Sequence, residues 1–222
     1  MLGRPLLAPI ALGAAAAAAG CGMGTHEQKT GSGVEASESR QVGSFDRILL
    51  SGQGTVVVTV GGAQAVTVRA DDNLLADVET DVDDGQLEIG QPGNVQLDPK
   101  VGITVEITVP RLEAVDLSGS GGIRVEGVHG DLFRTEVSGA GNVHATGGVG
   151  RVEAELSGSG EIRLAELKAR QASAELPGSG TIQVHATDSL TASISGSGQI
   201  IYAGNPSDVE RDVSGAGVIR PA

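Results

Sequence analysis

Carboxylates recur down the second half of this chain at a near-constant interval: Asp116, Glu136, Glu155, Glu175 and, after Ser193, Asp212. Each stands two residues ahead of a four-residue phrase, Ser-Gly-Ser/Ala-Gly. Its copies start at Ser118, Ser138, Ser157, Pro177 (as Pro-Gly-Ser-Gly), Ser195 and Ser214, so the spacings are 20, 19, 20, 18 and 19 residues. If the copies stack as neighbouring strands, the carboxylates form a ladder with steps of about 4.8 Å. Neighbouring charges at that spacing repel by about 0.9 kcal/mol even in bulk water. Nearby Arg and Lys, solvation and salt can relieve this. Carboxylate oxygens are also the right ligands for weak binding of Ca²⁺. The Gly-Gly-x-Gly-x-Asp nonapeptide of calcium β-rolls is absent. No cofactor and no defined metal site are therefore assigned. A second recurring column is mixed and basic: Arg124, His144, Arg163, Gln183, Ile201 and Arg220.

No other residues gather into a catalytic set. His26, His129, His144 and His185 share no register, so they read as solvated strand or loop residues, not as metal ligands. The abundant serines lie in a repeated corner, not beside a base on a strand-to-helix elbow. The Gly-Ser-Gly phrases resemble phosphate loops only superficially, because such loops open a helix and here a β-branched residue and a strand follow. Catalytic residues are accordingly assigned to none, and the chain reads as a non-enzyme.

The elements that carry these columns follow from the same phrase. Two residues after its last glycine stand Ile123, Val143, Ile162, Ile182, Ile200 and Ile219. Just before the phrase stand Leu117, Val137, Leu156, Leu176, Ile194 and Val213. Alternation of period two on both sides means strands with the apolar set facing inward. A repeat of about 19 residues cannot bury its own apolar face and must stack on its neighbours. The expected fold is all-β: a right-handed parallel β-helix or solenoid, with crossovers of the usual hand. The paired glycines, Gly119 and Gly121, Gly139 and Gly141, Gly158 and Gly160, Gly178 and Gly180, Gly196 and Gly198, Gly215 and Gly217, are expected to turn its corners through positive φ.

Ahead of the regular coils, which begin at about residue 112, the pattern is less repetitive. Strands are expected over Phe45–Leu50, Thr55–Val60, Ala65–Ala70, Val78–Val82, Gln86–Ile89 and Ile103–Val109, separated by Gly-Gly, Asp-Asn and Pro-Gly turn chemistry. Leu74–Val78 allows a short helical turn. Ser51-Gly52-Gln53-Gly54 looks like an early copy of the phrase. Residues 42–222 thus read as one domain whose irregular first part caps the column.

Composition narrows the partners. The 222 residues carry a net charge of -13, which argues against nucleic acid, since phosphate binding needs a basic face. Two Phe, one Tyr and no Trp leave a thin aliphatic core and none of the aromatic subsites usual in sugar-cleaving β-helices. Residues 1–20 read as a secretory signal, with Arg4 ahead of an apolar run too short for a good membrane span. The run ends Ala18-Ala19-Gly20-Cys21, which resembles a bacterial lipobox. Cys21 is the only cysteine and is expected to carry the lipid that anchors the protein at a membrane. Residues 22–41 are polar and read as a flexible tether. The implied location is the bacterial envelope, outside the cytoplasm.

Several phrases in order carry a resemblance: Phe45-Asp46-Arg47-Ile48, then Asp83-Asp84-Gly85-Gln86-Leu87-Glu88-Ile89, then Ile107-Thr108-Val109-Pro110-Arg111-Leu112, then the coils. Over about residues 42–220 the chain resembles the auto-transporter adhesin "head GIN" domain family. The resemblance implies a β-helical architecture in a secreted or lipid-anchored bacterial protein, and it brings no catalytic residues. Three function classes stay open. A surface-displayed binding or adhesion module with an unidentified protein or glycan partner ranks first. A structural or assembly protein of the envelope follows, and a polysaccharide-active enzyme comes last. The oligomeric state is open.

Overall fold

Apolar and polar side chains alternate through nearly every strand of this chain, and the computed structural model, which describes residues 27–222, is built from that alternation. The proposed signal, Cys21 and His26 lie outside the described residues. Nine strands form the first part: β1 (Glu27–Thr30), β2 (Glu35–Arg40), β3 (Arg47–Gly52), β4 (Thr55–Val60), β5 (Ala65–Asp71), β6 (Glu79–Asp83), β7 (Gln86–Gly90), β8 (Val95–Asp98) and β9 (Thr104–Val109). The repeats form β10 (Ala114–Gly119), β11 (Gly122–Val137), β12 (Asn142–Leu156), β13 (Glu161–Leu176), β14 (Thr181–Ile194), β15 (Gln199–Ala203), β16 (Asp208–Val213) and β17 (Val218–Pro221). A single 3₁₀ turn, Leu75–Asp77, falls inside the stretch expected to turn helically.

The fold is all-β, with long strands in a mostly parallel sheet. Strands β11 to β14 pair parallel in chain order. Successive partners preserve the sequence period, Ile123 on Val143, Val143 on Ile162, Ile162 on Ile182, then Ile182 on Ile200 and Ile200 on Ile219. Ile162 is fully buried and its neighbour Arg163 is exposed, so the inward and outward sets fall as the alternation requires. Beneath β10 and β11 lie β3 and β4, and Ser51-Gly52 pairs with Ser118-Gly119. The first part thus contributes its own copy of the corner. Most of its remaining strands pair antiparallel, β2 with β5, β5 with β9 and β6 with β7.

Two expectations need correction. The polar stretch read as a tether to residue 41 contains β1 and β2. Strand β1 pairs parallel with β8, fixed further by Lys29 Nζ on Asp77 at 2.6 Å, and β2 pairs with β5. Their side chains are mostly exposed, so composition looked unstructured although the sheet satisfies the backbone.

The corner glycines also have a different reason from the one expected. Of the twelve, only Gly119 takes a positive φ, +139°. A Cβ at Gly139, Gly158, Gly178, Gly196 or Gly215 would instead collide with the carbonyl oxygen of the equivalent glycine one coil below. At Gly121 the oxygen of Gly54 would lie 2.7 Å away and Leu50 Cδ2 2.8 Å away. Gly141, Gly160, Gly180, Gly198 and Gly217 meet the same kind of backbone wall. The ladder runs straight through the corner: Ala140 N donates to Gly119 O at 2.9 Å, Ser159 N to Gly139 O at 3.0 Å and Ser179 N to Gly158 O at 2.9 Å. Glycine is required because successive repeats touch backbone to backbone.

Candidate acidic face

The parallel register brings the five carboxylates into one column. Asp116 pairs with Glu136, Glu136 with Glu155, Glu155 with Glu175, Glu175 with Ser193, and Ser193 with Asp212. The column continues downward through Leu49 and Glu88 to Asp81. Glu88 and Asp81 belong to the non-repetitive part, where no period could have flagged them.

Among the described residues, none of the five carboxylates forms an ion pair. The column beside them does. Arg134 Nε lies 2.9 Å from Glu153 Oε2, and Arg151 Nε lies 3.1 Å from the other oxygen of Glu153. Two guanidiniums share one carboxylate there, so a net positive charge stands beside the ladder, and Arg134 partly offsets the charge of Asp116. Burial pushes the Asp116 carboxyl above the ordinary range, and Glu136 adds to this. Burial raises Glu155 likewise, with Glu136 and Glu175 on either side contributing repulsion. Stacking at strand spacing thus adds to burial in making Asp116 and Glu155 less acidic than they are alone.

Arg134, Glu136, Arg151, Glu155, Ser173 and Glu175 line a shallow groove of about 260 Å³ on this face. Arg134, Arg151 and Ser173 were not singled out in the sequence. The available signal was their position in chain order: Arg134, Glu153 and Ser173 form the column two residues before the carboxylates. The groove is open, negatively charged in its ladder and bipolar at its edge. It gathers no nucleophile beside a base.

The basic column is also in register, Arg124 on His144, His144 on Arg163, Arg163 on Gln183, Gln183 on Ile201 and Ile201 on Arg220. Of its arginines, Arg163 alone has a carboxylate partner among the described residues. Arg163 holds Glu161 well below the usual carboxylate range, with Gln183 donating a further hydrogen bond at 3.0 Å. His144 Nδ1 is 3.3 Å from Arg124, and its Nε2 is 3.9 Å from Glu166. His185 is shifted below its ordinary value by burial and by Lys168, its partner across the strands. Among the described residues, no three His, Asp, Glu or Cys side chains converge as metal ligands would.

Comparison with known proteins adds the following. The family model described as "Putative auto-transporter adhesin, head GIN domain" matches residues 44–206. Among solved structures, a putative adhesin from Bacteroides fragilis is similar at 22% identity and a TM-score of 0.70, with 87% of this chain and 100% of that chain covered. A protein from Parabacteroides distasonis described as a putative lipid binding protein is similar at 22% identity and a TM-score of 0.60, covering 88% and 100%. A putative adhesin from the same organism gives 22%, 0.57, 88% and 100%. At these identities the likeness is one of fold. No curated protein matches the sequence.

Proposed function

The chain belongs to the head GIN domain family of putative auto-transporter adhesins, and from that premise we propose that it is an envelope-anchored, surface-displayed adhesion module without catalytic activity. Family and fold neighbours support the adhesion-type class. The finer reading is ours. Its long strands wind as a right-handed solenoid of about 19 residues per coil, since parallel crossovers take that hand. Its binding surface is the lateral face that carries Asp116, Glu136, Glu155, Glu175 and Asp212, and its partner is cationic, a protein or a glycan bearing positive charge. Ca²⁺ is a weak competitor for the same carboxylates. The single observation that carries the reading is the register that brings five carboxylates, none of them in an ion pair among the described residues, into one column.

Anchoring is proposed through a lipid on Cys21 after removal of residues 1–20. Because β1 starts at Glu27, only residues 22–26 separate the anchor from the sheet. At full extension that spans roughly 20 Å. A domain held so close to a bilayer meets its partner with its side, not at the end of a long stalk.

The test uses cells that express the full chain. Adherence to surfaces coated with a basic protein is compared between wild type and Glu136→Gln/Glu155→Gln/Glu175→Gln. The reading requires a drop of at least tenfold in bound cells at unchanged expression. Equal adherence removes the acidic face as the binding surface. Turnover of a glycan or an ester by the purified wild type would overturn the non-catalytic assignment.

A further inference from the structure

Asp71 is the most deeply enclosed charged residue among those described, and the acidic face does not use it. One carboxylate oxygen accepts a hydrogen bond from Gly33 N at 2.6 Å. The other accepts from Lys100 N at 2.9 Å and Val101 N at 3.2 Å. Burial alone would raise its pKa, but these backbone donors outweigh it and hold the carboxyl below the ordinary value. Asp72 and Asn73 reinforce the clamp: Ser32 Oγ donates to Asp72 at 2.5 Å, and Asn73 Nδ2 donates to Thr30 O at 3.0 Å. One carboxylate thus fixes two loops, 31–34 and 99–102, far apart in sequence. Those loops carry two of the few large apolar side chains left exposed, Val34 and Val101. A buried charge that rigidifies exposed loops is the arrangement expected where a loop has to hold a shape for a ligand.

The clamped 99–102 loop forms one wall of a groove of about 580 Å³. The opposite wall is the corner where β10 turns into β11, stacked on the corner of β3 and β4. The groove is open, more so than the one on the acidic face, so it would hold a ligand along its surface without enclosing it. No charged side chain lines it, in a chain of net charge -13. Its polar lining is neutral: Gln53, Thr55, Thr104, Ser120 and Asn142. The side chains of Thr55, Thr104, Ser120 and Asn142 make no hydrogen bond to the described residues, whereas Gln53 Nε2 is spent on Leu97 O at 2.8 Å. Pro99, Val101 and Ile103 add a small apolar strip, and Gly54, Gly121 and Gly122 leave the backbone uncovered.

We infer that this groove is a binding site for an uncharged saccharide. The lining chemistry selects the class. Anions find no cationic partner and face an acidic protein. Cations find no carboxylate. A neutral sugar offers hydroxyls to hydroxyl and amide groups that are otherwise unengaged, and lays its C–H face on Pro99 and Val101. The 99–102 wall is already fixed by Asp71, so little ordering of that loop is needed on binding. The site is separate from the acidic ladder and does not depend on it.

The test titrates the full chain, in a detergent without sugar headgroups, with neutral gluco-, galacto- and manno-trisaccharides, and follows backbone amide chemical shifts. Shifts centred on Gly102, Ser120, Gly121 and Asn142 are expected with at least one of them. Asn142→Ala with Ser120→Arg should weaken that binding at least tenfold at an unchanged melting temperature. Both positions are exposed, and Ala140 and Ala216 show that the Ser120 column needs no hydroxyl for folding. If Ser120→Arg disturbs the fold, Asn142→Ala with Thr104→Ala replaces it. The triple Gln variant of the ladder should bind sugar as wild type does, so a failed ladder and a failed groove give different results. The inference is overturned by any of three outcomes: no shift at tens of millimolar trisaccharide, shifts elsewhere on the molecule, or undiminished affinity in the groove variants.

Discussion

Two kinds of carboxylate respond to acid in opposite directions. For Asp116 and Glu155 the folded pKa is raised, so their charged forms oppose folding, and lowering the pH toward their ordinary values relieves that. For Asp71 the folded pKa is depressed. Its contribution is present above the unfolded value of 3.8 and is lost as pH falls through the folded one. The melting temperature should therefore rise as pH falls from neutrality toward the ordinary carboxylate range and fall again once Asp71 takes up its proton. In Glu136→Gln/Glu155→Gln/Glu175→Gln the rise should shrink while the acid drop remains. A wild-type profile with no rise before the acid drop would show that the ladder is relieved by solvent alone. A core residue tests the packing at the same scale. Ile162 sits between Val143 and Ile182 with no exposure. Ile162→Ala should cost about 2–5 kcal/mol in denaturant melts. Arg163→Ser should stay within about 0.5 kcal/mol.

At the scale of the element, the corner and the strand were unequally legible. The inward columns could be read directly, because a period near 19 fixes the register and the alternation fixes the face. The ladder from Asp116 to Asp212 followed from the same two facts. The purpose of the glycines did not, because a sequence shows that a side chain is missing and not what occupies its place. Their collision partners are carbonyls one coil away. This changes an expectation: Gly158→Ala, and not only Gly158→Val, should destabilise, with Val losing about 2 kcal/mol or more. An unchanged melting temperature for Gly158→Ala would mean that the coils have room to separate at the corner. Strands β1 and β2 were illegible for another reason. Each is held by backbone pairing, with few side chains buried, so neither shows an apolar alternation. The neutral groove could not be read at all, since its walls come from residues 53–55, 99–104, 120–122 and 142, which only the pairing of β4 with β9 and β11 and of β11 with β12 brings together.

At the scale of the molecule, a column of parallel strands has the problem that its last strand invites another. Here the outermost strands are β16 and β17, and the apolar columns reach the surface there: Val213 is 45% exposed, whereas Ile194 one coil below is fully buried. Two residues answer this. Arg211 occupies the column of Ala154, Ala174 and Ala192, all inward and buried. Its guanidinium lies 5.1 Å from the centre of the Tyr202 ring and donates to the Tyr202 hydroxyl, closing the core with a charge. Pro221, in register with Tyr202, removes a backbone donor from the outermost strand. Inward charges and edge prolines are devices that stop strand-to-strand association. They weigh against end-to-end assembly through β16 and β17. The expectation is that the wild-type full chain shows no concentration-dependent growth in light scattering after the detergent contribution is subtracted. Arg211→Val with Pro221→Val should associate through β16 and β17, with mass rising at least twofold over a tenfold concentration range. An associating wild type, or a double variant that stays as small as the wild type, would show that the open end is guarded by something other than Arg211 and Pro221.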